Sequence, residues 1–270
     1  ITQFELVRSD GTRKLCTPVE NSDWYSATIG GLGLTGFISW ATVRLRPIVS
    51  RKIEYEGIQF HGLDEFLDLT EQSKDVEFTM SWVDVTSTGR NFARGIFMQG
   101  DHSAKRDELT PSAKPKLIFP FEAPGFALNH LSVGLFNTAY FHKQIHKRVV
   151  GLQDYEPFFY PLDMVLHWNR MYGKRGLLQF QYVIPWEHAK EGTIAVLREV
   201  AKSGLASFLA VLKAFCDVPS PGMMSFPKPG ITLALDWQKQ TGTGFPPPTG
   251  TNLRAPADNS NIFLHFQATF

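Results

Sequence analysis

Apolar positions recur along this chain at two periods, and the switches between them mark out its elements. From Gln3 to Arg8 and from Arg13 to Thr17 they alternate with polar residues, the two-residue period of a half-buried strand. Between them Ser9-Asp10-Gly11-Thr12 carries an Asp-Gly pair, which favours a hairpin turn. Asn21 or Ser22 is placed to cap a short helix carrying Trp24 and Tyr25. That helix ends at ATIGGLGLTGF, residues 27–37, which runs into a strand over 37–46.

At Pro47 the rhythm changes. A strand over 52–60, a helix over 63–73 with Leu63, Phe66, Leu67 and Thr70 on one face, and strands over 76–85 and 91–99 predict an antiparallel sheet with helices on one side. Patterning weakens from Asp101, where DHSAKRDELTPSAKPKLIFPF has the composition of a long exposed loop. An apolar stretch from Phe126 to Phe141 follows and ends in the basic HKQIHKRVV, with Lys143, Lys147 and Arg148. That juxtaposition suits a buried helix with a solvated basic end, or a surface for a phosphorylated lipid or anionic membrane.

The most informative stretch is PFFYPLDMVLHWNRMYGKRGLLQFQYVIP, residues 157–185. Pro161 can open a helix in which Leu162, Val165, Leu166 and Asn169 recur at helical spacing until Gly173. A strand over 177–184 then puts Leu178, Phe180, Tyr182 and Ile184 on one face and Gln179, Gln181 and Val183 on the other. A helix over 186–202 and two more strands complete the pattern. In the strand 207–215, Lys213 shares a face with Leu209 and Val211, either snorkelling from the strand end or lying over a ligand. In the strand 231–237, Thr232, Ala234 and Asp236 alternate with four apolar residues. Together with Gln179 and Gln181, Thr232, Ala234 and Asp236 make a polar, nearly uncharged set that suits a hydroxyl-rich ligand such as a sugar.

Composition narrows the classes. With 270 residues, 43% of them hydrophobic, the chain can build one or two cores. Its net charge of +1, with signs interspersed, argues against nucleic acid. No apolar run approaches the roughly 20 residues of a membrane span, so the chain reads as soluble and cytoplasmic, with membrane contact at most peripheral. Cys16 and Cys216 are far apart and outside any metal-ligand spacing, so both read as reduced and structural, and no metal is expected. Gly30, Gly31, Gly33 and Gly36 leave backbone bare for a flat or anionic ligand, or simply make a tight turn. Because a strand rather than a helix follows them, a Rossmann or P-loop reading fails.

ATIGGLGLTGFI, GRNFARGIFMQGDH, the 157–185 stretch, SFLAVLKAF and SFPKPGITLALDW occur here in one order. In that order they resemble FAD-linked oxidases of the vanillyl-alcohol-oxidase superfamily, and within it the decaprenylphosphoryl-ribose and sugar-lactone oxidases. The resemblance implies an α+β chain: the C-terminal part of an FAD-binding domain (1–47), then an antiparallel-sheet cap domain with helices on one face (48–237). Residues 238–270 resemble nothing in the family and read as a divergent tail from a shifted frame or incomplete gene. By resemblance, Ala27, Thr28, Gly30, Gly31, Gly33, Gly36 and Phe37 touch FAD, while Gln179, Gln181, Lys213, Thr232, Phe159 and Tyr160 face substrate. The implied reaction is oxidation of a sugar hydroxyl, C2′ of a polyprenyl-phosphoryl ribose or an aldonolactone, by hydride transfer to flavin N5. A short-chain-dehydrogenase-type reductase is the implied partner. Relatives carry an earlier FAD loop and a later flavin-proximal lysine that have no counterpart here, and their reactive cysteine position falls on Ala234. The chain alone is therefore expected to be inactive, or to be a cap module that only binds a sugar or lipid phosphate.

Overall fold

The computed structural model describes residues 1–106, 117–174 and 176–238; of the expected tail 238–270 only Gln238 falls within them, and it is the buried last residue of a strand rather than the start of a tail. The described residues divide into two units, Ile1–Ile48 with Phe215–Pro229, and Val49–Ala214 with the strand that begins at Gly230.

In the first unit β1 (Gln3–Val7) pairs antiparallel with β2 (Arg13–Cys16) through the expected hairpin, whose turn is closed by the Thr12 amide and hydroxyl donating to Asp10 Oδ1 at 2.9 and 2.7 Å. The helix α1 (Ser22–Thr28) lies over this sheet, and β3 (Phe37–Thr42) adds to the free edge of β1. Alternation along β1 sends Phe4 and Leu6 inward to meet Cys16 and Tyr25. The Phe4 and Tyr25 rings stack at 5.6 Å. The segment Phe215–Pro229, which the sequence reading assigns to the cap, packs with this unit. Met223 N–H donates to Ser26 O at 2.9 Å, and Gly222 lies so close to Ile29 O that a Cβ there would sit 2.4 Å away.

The second unit is built on β4 (Lys52–His61), α2 (Leu63–Gln72), β5 (Phe78–Val83), β6 (Arg94–His102), β7 (Leu117–Ile118), α3 (His130–His142), β8 (Arg148–Asp154), α4 (Tyr155–Phe159), β9 (Val165–Leu166), β10 (Leu177–Pro185), α5 (Ala189–Lys202), β11 (Leu209–Phe215) and β12 (Gly230–Gln238). Seven strands form one sheet in the order β10-β12-β11-β5-β6-β4-β8. The α+β architecture with an antiparallel sheet is therefore the one expected. Its core gathers Phe60, Phe66, Phe97, Leu197, Leu212, Ile231, Leu233 and Leu235 between one face of the sheet and the helices α2 and α5.

Two elements differ from expectation. The helix expected from Pro161 is instead a 3₁₀ turn at Pro161–Met164, the short β9, and a second 3₁₀ turn at Trp168–Tyr172. Val165 and Leu166 are drawn into parallel pairing with Leu117 and Ile118, and His167 follows in the left-handed region (φ 58°), so tertiary pairing overrides a helical spacing. The strand β8, read as the basic end of the apolar stretch, is an edge strand paired with β4.

Candidate active site on the open sheet face

Strand alternation sorts the cap's sheet into two faces with different chemistry. Tyr182, Ile184, Leu212, Leu233 and Leu235 point into the core beneath α2 and α5. Their neighbours in sequence therefore point to the opposite face: Gln179, Gln181 and Val183 on β10, Thr232, Ala234 and Asp236 on β12, and Leu209, Val211 and Lys213 on β11. The three strands are consecutive in the sheet. The structure thus brings together four of the expected substrate residues, Gln179, Gln181, Thr232 and Lys213.

Within this set the amides are held. Gln179 faces Asp236 and Gln181 faces Ala234 across the β10–β12 ladder. Gln181 reaches diagonally to donate from Nε2 to Thr232 Oγ1 at 3.1 Å. Asp236 is 3% exposed, with Oδ1 buried and unpartnered. Burial pushes its carboxyl up to about 6, against the hydrogen bond from Gln179 that favours the charged form. Burial, and next the charge of nearby Asp236, raise the Tyr172 phenol, whose hydroxyl is also buried without a partner. Tyr172 is fixed by stacking on Phe208 at 5.1 Å, and its carbonyl accepts from Gln238 Nε2 at 2.7 Å. Burial also lowers the Lys213 ammonium.

The sequence reading put Asp236 in the polar set without assigning it to substrate, and it left Tyr172 out. Asp236 was legible as the third polar position on β12; Tyr172 was not, because its burial depends on the non-helical path of 161–172.

The aromatic pair is divided. The Phe159 ring meets Phe78 edge-on at 4.8 Å, and Phe78 shares the open face with Met80 and Trp82 by alternation. Tyr160 is 55% exposed. Farther along the same face α3 closes the sheet: Tyr140 and Phe141 cover Trp82 and Ile96. Beneath it Arg94 Nε and a terminal nitrogen both lie 3.0 Å from Asp84 Oδ2, and Asn137 donates to Asp84 Oδ1 at 3.1 Å. Burial alone would raise the Asp84 carboxyl, but hydrogen bonds from Ser87, Thr86 and Asn137 hold it below its ordinary value.

In the first unit, Ala27 and Thr28 end α1 and residues 29–36 turn without a helix. Gly31 is dictated by the chain itself, since a Cβ there would lie 2.1 Å from Ala27 O. Gly33 is different: it adopts φ +74°, and no atom lies within 4 Å of where its Cβ would be. Leu32, Leu34 and Phe37 around it are exposed. This leaves bare, accessible backbone at Gly33, flanked by apolar side chains. Its neighbours have structural roles: the buried Thr28 donates its hydroxyl to Thr35 Oγ1 at 2.9 Å, a Cβ on Gly36 would lie 2.6 Å from Val7 O, and one on Gly30 would lie 3.3 Å from Ser225 Oγ.

No family model matches the chain. It is 32% identical over 257 residues to the decaprenylphosphoryl-β-D-ribose oxidase of Mycolicibacterium smegmatis, a match covering 90% of this chain and 54% of that protein. It is 28% identical to a Streptomyces coelicolor protein described as an uncharacterized protein in the mprA 5′ region, covering 86% of this chain and 66% of that one. The chain thus spans about half the length of the first relative. Among solved structures, wild-type Physcomitrella patens BBE-like 1 superposes with a TM-score of 0.51 at 10% identity, over 88% of this chain and 50% of that one, a likeness of fold alone. The sequence match bears out the resemblance read from the motifs: over its length the chain is similar to a decaprenylphosphoryl-β-D-ribose oxidase.

Proposed function

We propose that this chain holds FAD on residues 27–37 and a lipid-linked sugar on the open face of its cap, and serves the oxidation of a sugar hydroxyl, C2′ of a polyprenyl-phosphoryl ribose. The observation that carries this reading is the cluster of Gln179, Gln181, Thr232 and Asp236 on two paired strands, amide and hydroxyl donors beside one buried carboxyl. Such a set recognises hydroxyls. Gln181 and Thr232 orient the ring, and Asp236 Oδ1, lacking a partner, accepts a sugar hydroxyl. Lys213 supplies a cation for the phosphate, and the Phe159 and Tyr160 rings supply apolar surface. FAD, when bound, supplies the hydride acceptor. An aldonolactone would use the same hydroxyl contacts but leave Lys213 without an anion.

The oxidised product would be a ketone, the substrate class of a short-chain-dehydrogenase-type reductase. Peripheral contact with an anionic membrane suits a lipid-linked substrate: Leu131, Leu135 and Phe136 of α3 are exposed, and Lys143 and Lys147 follow them. Among the described residues no helix is long and apolar enough to cross a membrane.

The test is reduction of a dye acceptor by the FAD-supplemented protein on addition of polyprenyl-phosphoryl ribose. Binding of both FAD and the ribose lipid is expected; dye reduction that requires both would show in addition that this chain turns over by itself, against the expectation of inactivity. Binding of the ribose lipid without flavin binding would make the chain a binding module; binding of neither overturns the proposal.

A further inference from the structure

Among the described residues the seven-stranded sheet ends on β8, whose ends carry Arg148 and Asp154 but whose centre has no blocking feature. Its register with β4 runs from Lys52↔Asp154 to Ile58↔Arg148 without a bulge. Val150 and Leu152 are 70% and 61% exposed, and a Cβ on Gly151 would meet nothing within 4 Å. Native edges of this length are ordinarily blunted by a bulge, a proline or a central lysine, and Val149-Val150-Gly151-Leu152 has none.

The backbone shows which groups are free. Gln59 N–H donates to Lys147 O at 2.8 Å, and Tyr155 N–H donates to Arg51 O at 3.0 Å. In an antiparallel ladder hydrogen-bonded pairs alternate with non-bonded ones, so Val149, Gly151 and Gln153 direct their N–H and C=O groups at β4. Arg148, Val150, Leu152 and Asp154 direct theirs outward.

We propose that β8 pairs antiparallel with β8 of a second copy of this chain about a two-fold axis through Gly151, joining two sheets into one. This register sets Arg148 of each copy opposite Asp154 of the other and Val150 opposite Leu152, and all four are residues with outward backbone groups. Shifting the pairing by two residues either way would put Arg148 opposite Leu152, or Asp154 opposite Val150, so charge complementarity selects one register. The four side chains share the face of Ile58, which faces Arg148 across the β4–β8 ladder. Arg148 already meets Glu56 at 2.8 Å, and Asp154 meets Lys52 at 2.8 Å. Pairing would extend these into one row of alternating sign at each end of the seam: Lys52 and Asp154 of one copy, then Arg148 and Glu56 of the other.

The closing experiment follows mass by light scattering across a dilution series of the 270-residue chain, with a register-specific cross-link as second readout. A dimer that dissociates on dilution is expected. Val150→Pro removes an outward N–H while sparing the β4 ladder, and should weaken the dimer about tenfold or more with the thermal transition retained. In a Cys216→Ala background, Gly151→Cys places two thiols across the axis at a non-hydrogen-bonded pair, where Cα atoms lie about 4.5 Å apart, within reach of a disulfide. It should oxidise to a covalent dimer, whereas Val149→Cys, which faces Gln153, should not. A monomer at every concentration overturns the proposal, as does a dimer that survives Val150→Pro and is not trapped by Gly151→Cys.

Discussion

Gln181 donates to the hydroxyl of Thr232, not to the residue that directly faces it. The facing position is Ala234, and the 3.1 Å bond runs diagonally to a neighbour on the same face. Ala234, the small residue opposite this long amide, stays partly exposed between the buried Thr232 and Asp236, and the proposed sugar site rests on this.

Gln181→Leu should therefore impair turnover without releasing flavin. Losing an amide that orients substrate costs on the order of 1–3 kcal/mol in transition-state binding, roughly a five- to 150-fold fall in kcat/KM. Steady-state kinetics and the flavin-to-protein ratio check it; unchanged kcat/KM with any accepted sugar would remove Gln181 from the site.

Asp236→Asn should stabilise the protein at neutral pH. The folded-state carboxyl is raised from an ordinary 3.8 to about 6. Its protonated form favours folding, so its contribution is full below the unfolded value and is lost as pH rises through about 6. The two-unit rise corresponds to a cost on the order of 3 kcal/mol above that pH, which the amide avoids. Thermal melts should show a higher Tm for the variant at pH 8 and no difference near pH 3.5. A variant less stable than the parent at pH 8 would mean that charged Asp236 has a stabilising partner.

Lys213→Met should weaken binding of a phosphorylated sugar and flatten its dependence on salt. A cation facing a phosphate is screened by added electrolyte, whereas the neutral thioether is not. Titrations at low and high salt decide it, and equal affinities for parent and variant at low salt would return Lys213 to a solvated edge.

Arg94→Met should cost about 3–5 kcal/mol, because it strands a buried carboxylate. Burial would raise the carboxyl of its partner Asp84, but hydrogen bonds from Ser87, Thr86 and Asn137 hold it below the ordinary value. The charged carboxylate therefore stabilises fully above the ordinary range, and this is lost as pH falls through the lowered value, where the stranded charge disappears. Denaturant melts should show the deficit at pH 7 and a smaller one in acid; parity at pH 7 would mean that the network under α3 contributes nothing.

The sequence by itself determined the elements whose partners are local or whose pattern is strict. The Asp10-Gly11 hairpin, α2, α5 and the two-faced strands β10 and β12 follow from turn chemistry and from periods of 3.6 and 2, and that same alternation grouped Gln179, Gln181 and Thr232 on the polar faces of their strands, leaving the side of Lys213 open. Only the tertiary structure decided what depends on distant pairing. Val165 and Leu166 have a helical spacing but pair with Leu117 and Ile118 from far upstream. The resulting path buries Tyr172 beside Asp236, a meeting of residues far apart in sequence that no local window contains. Likewise Arg148–Asp154 reads as the basic end of an apolar stretch until β4 recruits it as the last strand, because strand pairing is a non-local free energy while periodicity reports only local burial.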